Sequence, residues 1–324
     1  MTESVFSAIV GHDAIVGRLR HALEMERPGH AWLFHGPGGV GKRTMALAWI
    51  QSLFCPSPVR DETGVAGCGR CVSCRKCAEG HHPDLRILEI EENKSRISVD
   101  QVRDLTRFIA FTPMEAAWKA AIIDDAAWMN DAAANALLKT LEEPPPGSLL
   151  IVITERPGAL LPTIRSRCLK ERFQLLDEAS LTRLLERLAP ESDQGARRAA
   201  VGLAGGSIGV ALRWCDPEML EGRQRLFCDL DALGSRSLAD LIEAARIWSE
   251  TERFALVPEL LETWCAERIR LEVAGGRLGD VERWLETVSA VTTLVRECRT
   301  INLNPRLTLE SIFIRLARMR GVAF

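Results

Sequence analysis

Tyrosine is absent from the 324-residue sequence, and aromatic residues together make up only 6% of it. A chain so poor in aromatic side chains has no evident ladder of rings on which successive nucleic-acid bases could stack. Neither sign of charge dominates, since 41 Lys and Arg residues face 44 Asp and Glu residues and leave a formal net charge of −3. This balance argues against a stand-alone, strongly basic nucleic-acid-binding protein. It is compatible with a subunit that meets DNA inside an assembly.

Long apolar runs are also missing. No stretch reaches the ~18 apolar residues that a membrane span requires, and the run Leu149–Ile153 has the length of a strand. Met1–Ser4 does not begin a basic segment followed by an apolar one, as a secretory signal would. We therefore expect a cytoplasmic protein with no membrane partner. In such a reducing compartment, clustered cysteines indicate metal binding before disulfides.

Strand-like and helix-like segments alternate over residues 1–176. This alternation predicts an α/β domain, a mostly parallel sheet covered by helices. A cysteine-rich insert at residues 55–80 interrupts it. After residue 176 only helical patterns continue, which predicts a small helical domain at 177–208 and an all-helical domain at 209–324. The predicted strands are Ala31–Phe34, Leu85–Ile90, Ala120–Ile123 and Leu149–Ile153.

Two helices of the α/β domain carry clear start or stop signals. Ser98 is a helix cap with Gln101, three residues on, as its capping-box partner. Asn130 or Asp131 begins a second helix, which Pro144–Pro146 ends.

A glycine-rich turn follows the first predicted strand and precedes a helix. Its spacing, Gly36-x4-Gly41-Lys42, is that of a phosphate loop, in which backbone N–H groups converge on phosphate oxygens and the lysine reaches the β- and γ-phosphates. The full motif continues with Ser or Thr to hold Mg²⁺, but here Arg43 takes that position. Thr44 comes one residue late and points about 100° away around the helix. The candidate nucleotide-binding residues of this turn are Gly36, Gly38, Gly39, Gly41, Lys42, Arg43 and Thr44.

Two acids, Asp124 and Asp125, end the strand Ala120–Ile123. Downstream of a phosphate loop, such a strand resembles a Walker B segment. Its first acid would hold Mg²⁺ through water, and its second would orient the attacking water, a role usually given to Glu. Asp125 is one methylene shorter than Glu. Two exposed acids at a strand end, without a metal, are the alternative.

Cys68, Cys71, Cys74 and Cys77 are each three residues apart, and Cys55 lies upstream of them. Two-residue spacers let successive thiolates turn toward one ion, so the cluster predicts structural zinc. The spacing leaves five candidates for four tetrahedral positions, with His81 and His82 in addition. An iron–sulfur cluster and free thiols are the alternatives. No proline follows a fourth cysteine at the spacing usual for iron–sulfur proteins.

Several motifs together resemble the clamp-loader branch of the AAA+ proteins, and within it the subunits of the bacterial DNA polymerase III clamp loader. The resemblance covers residue 1 to about residue 210 with specific motifs, and the remainder weakly through Asn302–Pro305. The motifs, beside the inserted cysteine module, are Ile9–His12, Gly36–Lys42, Asp131–Pro145 and Ser166–Cys168.

The resemblance implies particular site residues. Ser166–Cys168 would supply an arginine finger, which neutralises charge on the γ-phosphate of a neighbouring subunit's ATP. Spacing alone does not choose between Arg165 and Arg167, and the resemblance favours Arg167. The alternative is that Arg167 only caps the short helix before it. Thr154 matches a polar position that would sense the γ-phosphate. The zinc ligands implied are Cys55, Cys68, Cys71 and Cys74, with Cys77 spare.

The resemblance also implies a function. The chain would be a stator in a pentameric ATPase that opens the ring-shaped sliding clamp and loads it on primed DNA, with gamma/tau motor subunits and a delta subunit as partners. Arg43, Asp125 and Gly209 depart from the motor subunits, which carry a phosphate-sensing Arg where Gly209 stands. We therefore expect that ATP or ADP can bind, but that Mg²⁺-dependent turnover is poor. The alternative is a catalytically active clamp-loader motor or another AAA+ ATPase.

Overall fold

The computed structural model describes residues 4–61, 63–91, 96–235, 237–250, 254, 257–276, 282, 284–291, 293–294 and 304–319. The strands are β1 (Ala31–His35), β2 (Val59–Asp61), β3 (Gly64–Ala66), β4 (Leu85–Leu88), β5 (Lys119–Ile123), β6 (Ser148–Thr154) and β7 (Leu169–Arg172). The helices up to residue 214 are α1 (Asp13–Glu24), α2 (Lys42–Phe54), α3 (Val72–Ala78), α4 (Val99–Ala110), α5 (Asp131–Glu142), α6 (Pro162–Arg167), α7 (Glu178–Leu188), α8 (Gln194–Leu203) and α9 (Ile208–Trp214). The later helices are α10 (Pro217–Asp231), α11 (Leu238–Trp248), α12 (Val257–Ala274) and α13 (Pro305–Met319).

The chain divides into two compact units, Met1–Leu212 and Arg213–Phe324. The boundary falls inside α9. The first unit holds the sheet together with α1 to α8, and the described elements of the second unit are helical. A finer division of the first unit at residue 176 stays a prediction.

The central sheet has five parallel strands in the order β4-β5-β6-β1-β7. This confirms the α/β class predicted from the alternating pattern. Every residue of β5 and β6 is buried, as expected for strands covered by helices on both faces. Alternate residues of β6 enter two different hydrophobic clusters, with Leu149, Ile151 and Ile153 in one and Leu150 and Val152 in the other.

The helix signals read from the sequence act as expected. Ser98 and Gln101 form a capping box at the start of α4. Asn130 caps α5 by accepting a hydrogen bond from the Ala133 amide. The helix ends at Glu142, just before Pro144–Pro146.

Strand β7 was not predicted, because its sequence, Leu-Lys-Glu-Arg, carries little apolar character. It forms an edge of the sheet beside β1. Glu171 points inward and is buried, and its carboxylate accepts two hydrogen bonds from the Arg18 guanidinium. Such a two-point pair lets a charged residue sit inside the edge strand. The short antiparallel hairpin β2–β3 in the cysteine-rich insert was not predicted either.

A buried carboxylate ties the start of β4 to β5. Asp84 accepts hydrogen bonds from the backbone amides of Met114, Glu115 and Ala116 at 2.7–2.8 Å. It also pairs with Lys119 at 3.2 Å. The segment 114–116, which precedes β5, is thereby fixed against the sheet.

The second unit is built on apolar helix faces. Helix α11 packs against α13, and the core there includes Trp248, Ile312 and Phe313. Among the described residues, none of the helices is both long enough and apolar enough to span a bilayer. The motif Asn302–Pro305 lies partly outside the described residues, which resume at Asn304.

Candidate functional site

Four cysteine thiols meet between the end of α2 and the start of α3. Cys55 directly follows α2, and Cys71 caps α3. The Sγ atoms of Cys55, Cys68, Cys71 and Cys74 all lie within 4.8 Å of one another, a group that could hold a metal ion. Cys55 Sγ lies 3.6 Å from Cys68 Sγ and 3.9 Å from Cys71 Sγ. Sulfurs about 3.8 Å apart are what a tetrahedral ion with Zn–S bonds of about 2.3 Å requires.

Backbone amides support this group. The amides of Cys68, Cys71 and Cys74 donate to the sulfurs of Cys55, Cys68 and Cys71 respectively, each at 3.4 Å. Burial opposes ionisation of Cys68, but hydrogen bonds from backbone amides and neighbouring thiols lower its pKa to about 6. Thiolates are the form that binds a metal, so the backbone amides favour the ligating form of Cys68, whereas burial raises the pKa of Cys55 and of Cys74.

Cys77, the last thiol of the regular run, does not belong to this group of four. It is fully buried, and burial raises its pKa to about 12. The spacing alone favours the regular run from Cys68 to Cys77, and only the family resemblance implies Cys55 in place of Cys77. The structure brings Cys55 into the cluster because α2 ends beside the start of α3.

The glycine-rich turn connects β1 to α2, as the sequence predicted. Gly36, Gly39 and Gly41 have φ values of +142°, +65° and +96°, a region that glycine adopts without strain. Lys42 is buried at the start of α2, and its Nζ donates to the carbonyls of Gly36 at 2.9 Å and Pro37 at 2.5 Å. Burial lowers the pKa of this amine. Thr154 is fully buried at the end of β6, and its backbone carbonyl accepts a hydrogen bond from the Gly36 amide.

Arg43 turns toward the acids at the strand ends. Its Nη1 lies 2.5 Å from Glu89 Oε2 and 3.4 Å from Asp124 Oδ2. Burial, together with the neighbouring Asp125 charge, raises the pKa of Asp124. Thr44 is exposed on α2. A guanidinium therefore stands beside the first acid, where a Mg²⁺-binding phosphate loop would bring a hydroxyl.

The loop is enclosed by Gly209, which the sequence motifs marked, and by Glu155 and Ser207, which they did not. A Cβ at Gly38 would collide with Glu155 Oε1, so this carboxylate rests against the loop backbone. Ser207 Oγ donates to the Gly38 carbonyl at 2.9 Å. The Gly209 amide donates to the Gly39 carbonyl at 2.9 Å.

The position of Gly209 explains why a small residue serves there. A Cβ at Gly209 would lie 3.0 Å from the Gly39 Cα.

Glu155 directly follows Thr154 at a strand end. Its place directly after a predicted strand is the sequence signal that could have identified Glu155, whereas no local signal identifies Ser207.

Arg167 is the last residue of α6. Its Nη1 donates to the Thr163 carbonyl at 2.9 Å, and its Nη2 pairs with Glu142 Oε1 at 2.7 Å. The side chain is 34% exposed. Arg165 differs, because its Nε is buried and has no hydrogen-bond partner within the part of the chain that the structure describes. Of the two candidate arginines, Arg167 is therefore the one whose guanidinium is hydrogen-bonded at the surface.

Comparison with known proteins places these features in a family. Residues 11–177 match the family model described as "DNA polymerase III, delta subunit". DNA polymerase III subunit delta' of Pseudomonas aeruginosa is 40% identical over 197 residues, which span 61% of this chain and 57% of that protein. DNA polymerase III subunit tau of Escherichia coli is 32% identical over 250 residues, which span 74% of this chain and 38% of that protein. The matched segments thus span less than two thirds of both relatives.

A solved structure supports the fold alone. A DNA polymerase III gamma subunit-related protein from Thermotoga maritima superposes with a TM-score of 0.50 at 18% identity, covering 95% of this chain and 99% of that one. The family-model match extends over about half of the chain, through β1, the glycine-rich turn, the cysteine group and α6. The chain therefore belongs to the DNA polymerase III delta subunit family, as the clamp-loader resemblance of its sequence predicted.

Proposed function

We propose that this protein is a delta-prime-like stator subunit of a DNA polymerase III clamp loader. In this role it helps to load the sliding clamp on primed DNA and donates Arg167 to the ATP site of a neighbouring subunit. Its partners are gamma/tau motor subunits and a delta subunit, and it meets the clamp and primer–template DNA through the assembled complex. Residues 1–176 form the nucleotide-binding-type domain, 177–208 a lid and 209–324 a collar.

The observation that carries the stator assignment is the contact of Arg43 with Asp124. A motor subunit needs Mg²⁺ between a hydroxyl of the loop and the first acid of the strand. Here a fixed cation lies beside that acid, 3.4 Å from Asp124. Mg²⁺ demands near-ideal octahedral oxygen coordination, and a guanidinium at this point supplies positive charge but no oxygen. The contact therefore supports a subunit that does not turn over nucleotide.

The phosphate loop nevertheless keeps binding groups. Gly36–Lys42 and Thr154 are the residues that would hold the phosphates of ATP or ADP. Lys42 would first have to leave the Gly36 and Pro37 carbonyls. We assign these residues a binding role and no part in hydrolysis.

The cysteine group fits structural zinc. Four sulfur donors at tetrahedral spacing, three of them receiving backbone N–H bonds, match the donor chemistry of a closed site made of four cysteines. Zinc at such a site provides a crosslink between chain segments and no catalysis. Cys55, Cys68, Cys71 and Cys74 would thereby join the end of α2 to the start of α3.

The test is the ATPase of a complex reconstituted from this chain, gamma/tau and delta. We expect Arg167→Ala to leave assembly intact and to lower the clamp- and DNA-stimulated rate at least about tenfold, since an arginine finger contributes 10³–10⁵ at its own site. Lys170→Ala, an exposed basic residue three positions on, serves as the matched control. An unchanged rate in an assembled Arg167→Ala complex would refute the finger.

The alternative, an active motor, is tested with the purified chain. A stator releases no phosphate above background, with or without primed DNA. Sustained release that is abolished by Lys42→Ala would establish the motor instead.

A further inference from the structure

Glu142 and Arg167 join the ends of two helices. Glu142 is the last residue of α5, and Arg167 is the last residue of α6. The Arg167 guanidinium is held at two points, by the Glu142 carboxylate at 2.7 Å and by the Thr163 carbonyl at 2.9 Å. One support comes from its own helix and the other from the neighbouring helix.

This pair contributes little to the stability of the fold. The Glu142 side chain is 50% exposed and that of Arg167 34% exposed, and ion pairs between such exposed side chains contribute little to stability. The main physical effect of the pair is to orient the Arg167 guanidinium. A free arginine side chain loses rotamer entropy when it is fixed in one orientation. Because two contacts fix the Arg167 guanidinium within the folded subunit, much of this entropy is lost before any partner arrives.

The local chain geometry restricts the arginine further. Helix α6 spans only Pro162–Arg167 and continues at once into Cys168 and β7. Helix α5 ends before Pro144–Pro146, so the backbone from which the Glu142 side chain extends is held in place. The guanidinium has several N–H donors, of which these contacts engage only part. The remainder stay available to an approaching phosphate.

We propose that Glu142 is a positioning residue for Arg167, holding the guanidinium in the orientation that receives the γ-phosphate of a neighbouring subunit's ATP. This rests on the finger role proposed above. Preorganisation of a group that stabilises transition-state charge raises the rate of the chemical step. Glu142 therefore affects the turnover of an ATP site to which it does not itself belong.

The experiment uses the reconstituted complex and measures stimulated ATPase against ATP concentration. We expect Glu142→Gln to lower kcat about three- to tenfold with little change in KM, because the group acts in the transition state. Glu143→Gln, which removes an adjacent exposed carboxylate, should behave as wild type. In an Arg167→Ala background, Glu142→Gln should cause no further loss, since both changes remove the same effect.

The remaining outcomes distinguish a failure of the finger role of Arg167 from a failure of the positioning role of Glu142. If Arg167→Ala leaves the rate unchanged, the finger itself is wrong. If Arg167→Ala is defective but Glu142→Gln matches wild type or is faster, the finger stands and positioning is wrong. An equal loss from Glu142→Gln in the Arg167→Ala background would also overturn positioning. Should Glu142→Gln fail to assemble, Glu142→Asp, which keeps the charge on a shorter stem, should give an intermediate kcat, and a wild-type kcat would refute the proposal.

Discussion

The Asp84 carboxylate and the Lys119 ammonium form an ion pair in the interior of the α/β unit, with both side chains at most 4% exposed. Removing one partner of a buried pair leaves an uncompensated charge. We expect Asp84→Asn to lower the free energy of unfolding by about 3 kcal/mol, measured by urea denaturation. Asp104→Asn, an exposed acid on α4, should change it by less than about 0.5 kcal/mol. Equal effects of the two changes would contradict the structural role of Asp84.

The same carboxylate predicts a dependence on pH. Burial opposes its ionisation, but the amides of Met114, Glu115 and Ala116 and the Lys119 ammonium hold its pKa at about 2, below the usual 3.8. A depressed pKa stabilises the fold above the unfolded-state value, and the contribution is lost as pH falls through the folded-state value. Unfolding free energy should therefore decline between about pH 4 and pH 2. A decline of the same size in Asp84→Asn would contradict this assignment.

The metal site predicts different results for two neighbouring cysteines. Cys55→Ser should lower zinc affinity at least tenfold and reduce thermal stability, since it removes one of four ligands. Cys77→Ser should retain one zinc per chain. Native mass spectrometry with chelator titration measures both. Retention of zinc by Cys55→Ser and its loss from Cys77→Ser would place the metal on the regular run Cys68–Cys77 instead.

Glu155 predicts a gain of ligand binding. Its carboxylate lies against Gly38 and acts electrostatically on Lys42, so it opposes the entry of phosphate. Glu155→Gln should tighten the binding of a fluorescent ADP about tenfold, the effect of one like charge a few ångströms away at intermediate dielectric. Glu186→Gln, an exposed acid on α7, controls for net charge. Equal affinities of wild type and Glu155→Gln would show that the carboxylate does not oppose phosphate.

Arg43 predicts a change in metal dependence. Arg43→Thr restores a hydroxyl after the loop lysine and frees Asp124. Nucleotide affinity of this variant should rise about tenfold on adding Mg²⁺, whereas that of wild type should not depend on Mg²⁺. Titrations with and without Mg²⁺ measure this, with the exposed Arg103→Thr as control. Mg²⁺-dependent binding by wild type would contradict the displacement of the metal by Arg43.

The sequence predicts the buried parts of the fold well, because burial imposes a composition. Strands β5 and β6 are apolar at most positions and were recognised, as were the caps Ser98 and Asn130. Strand β7 escaped recognition because Glu171 is buried through its pairing with Arg18, 153 residues away in the chain. No local pattern encodes such a partner.

The candidate site divides in the same way. The glycine-rich turn, Asp124 and the cysteines can be recognised from the sequence, since phosphate and metal binding require particular residues at fixed spacing. Glu142 and Ser207 cannot, because each acts through a contact made by folding: Glu142 with Arg167, and Ser207 with Gly38. For the same reason, the regular spacing favours Cys77 as the fourth ligand, whereas the fold brings Cys55 to the other three cysteines.

The hydrogen bond from the Gly209 amide to the Gly39 carbonyl makes the start of α9 a reporter of the glycine-rich turn. An amide held in this way exchanges its proton with solvent only when the bond opens. A phosphate that draws the turn away from α9 would accelerate deuterium uptake at residue 209. Deuterium uptake at residue 209 would thus report the state of the glycine-rich turn inside the intact assembly, without a dye or a substitution.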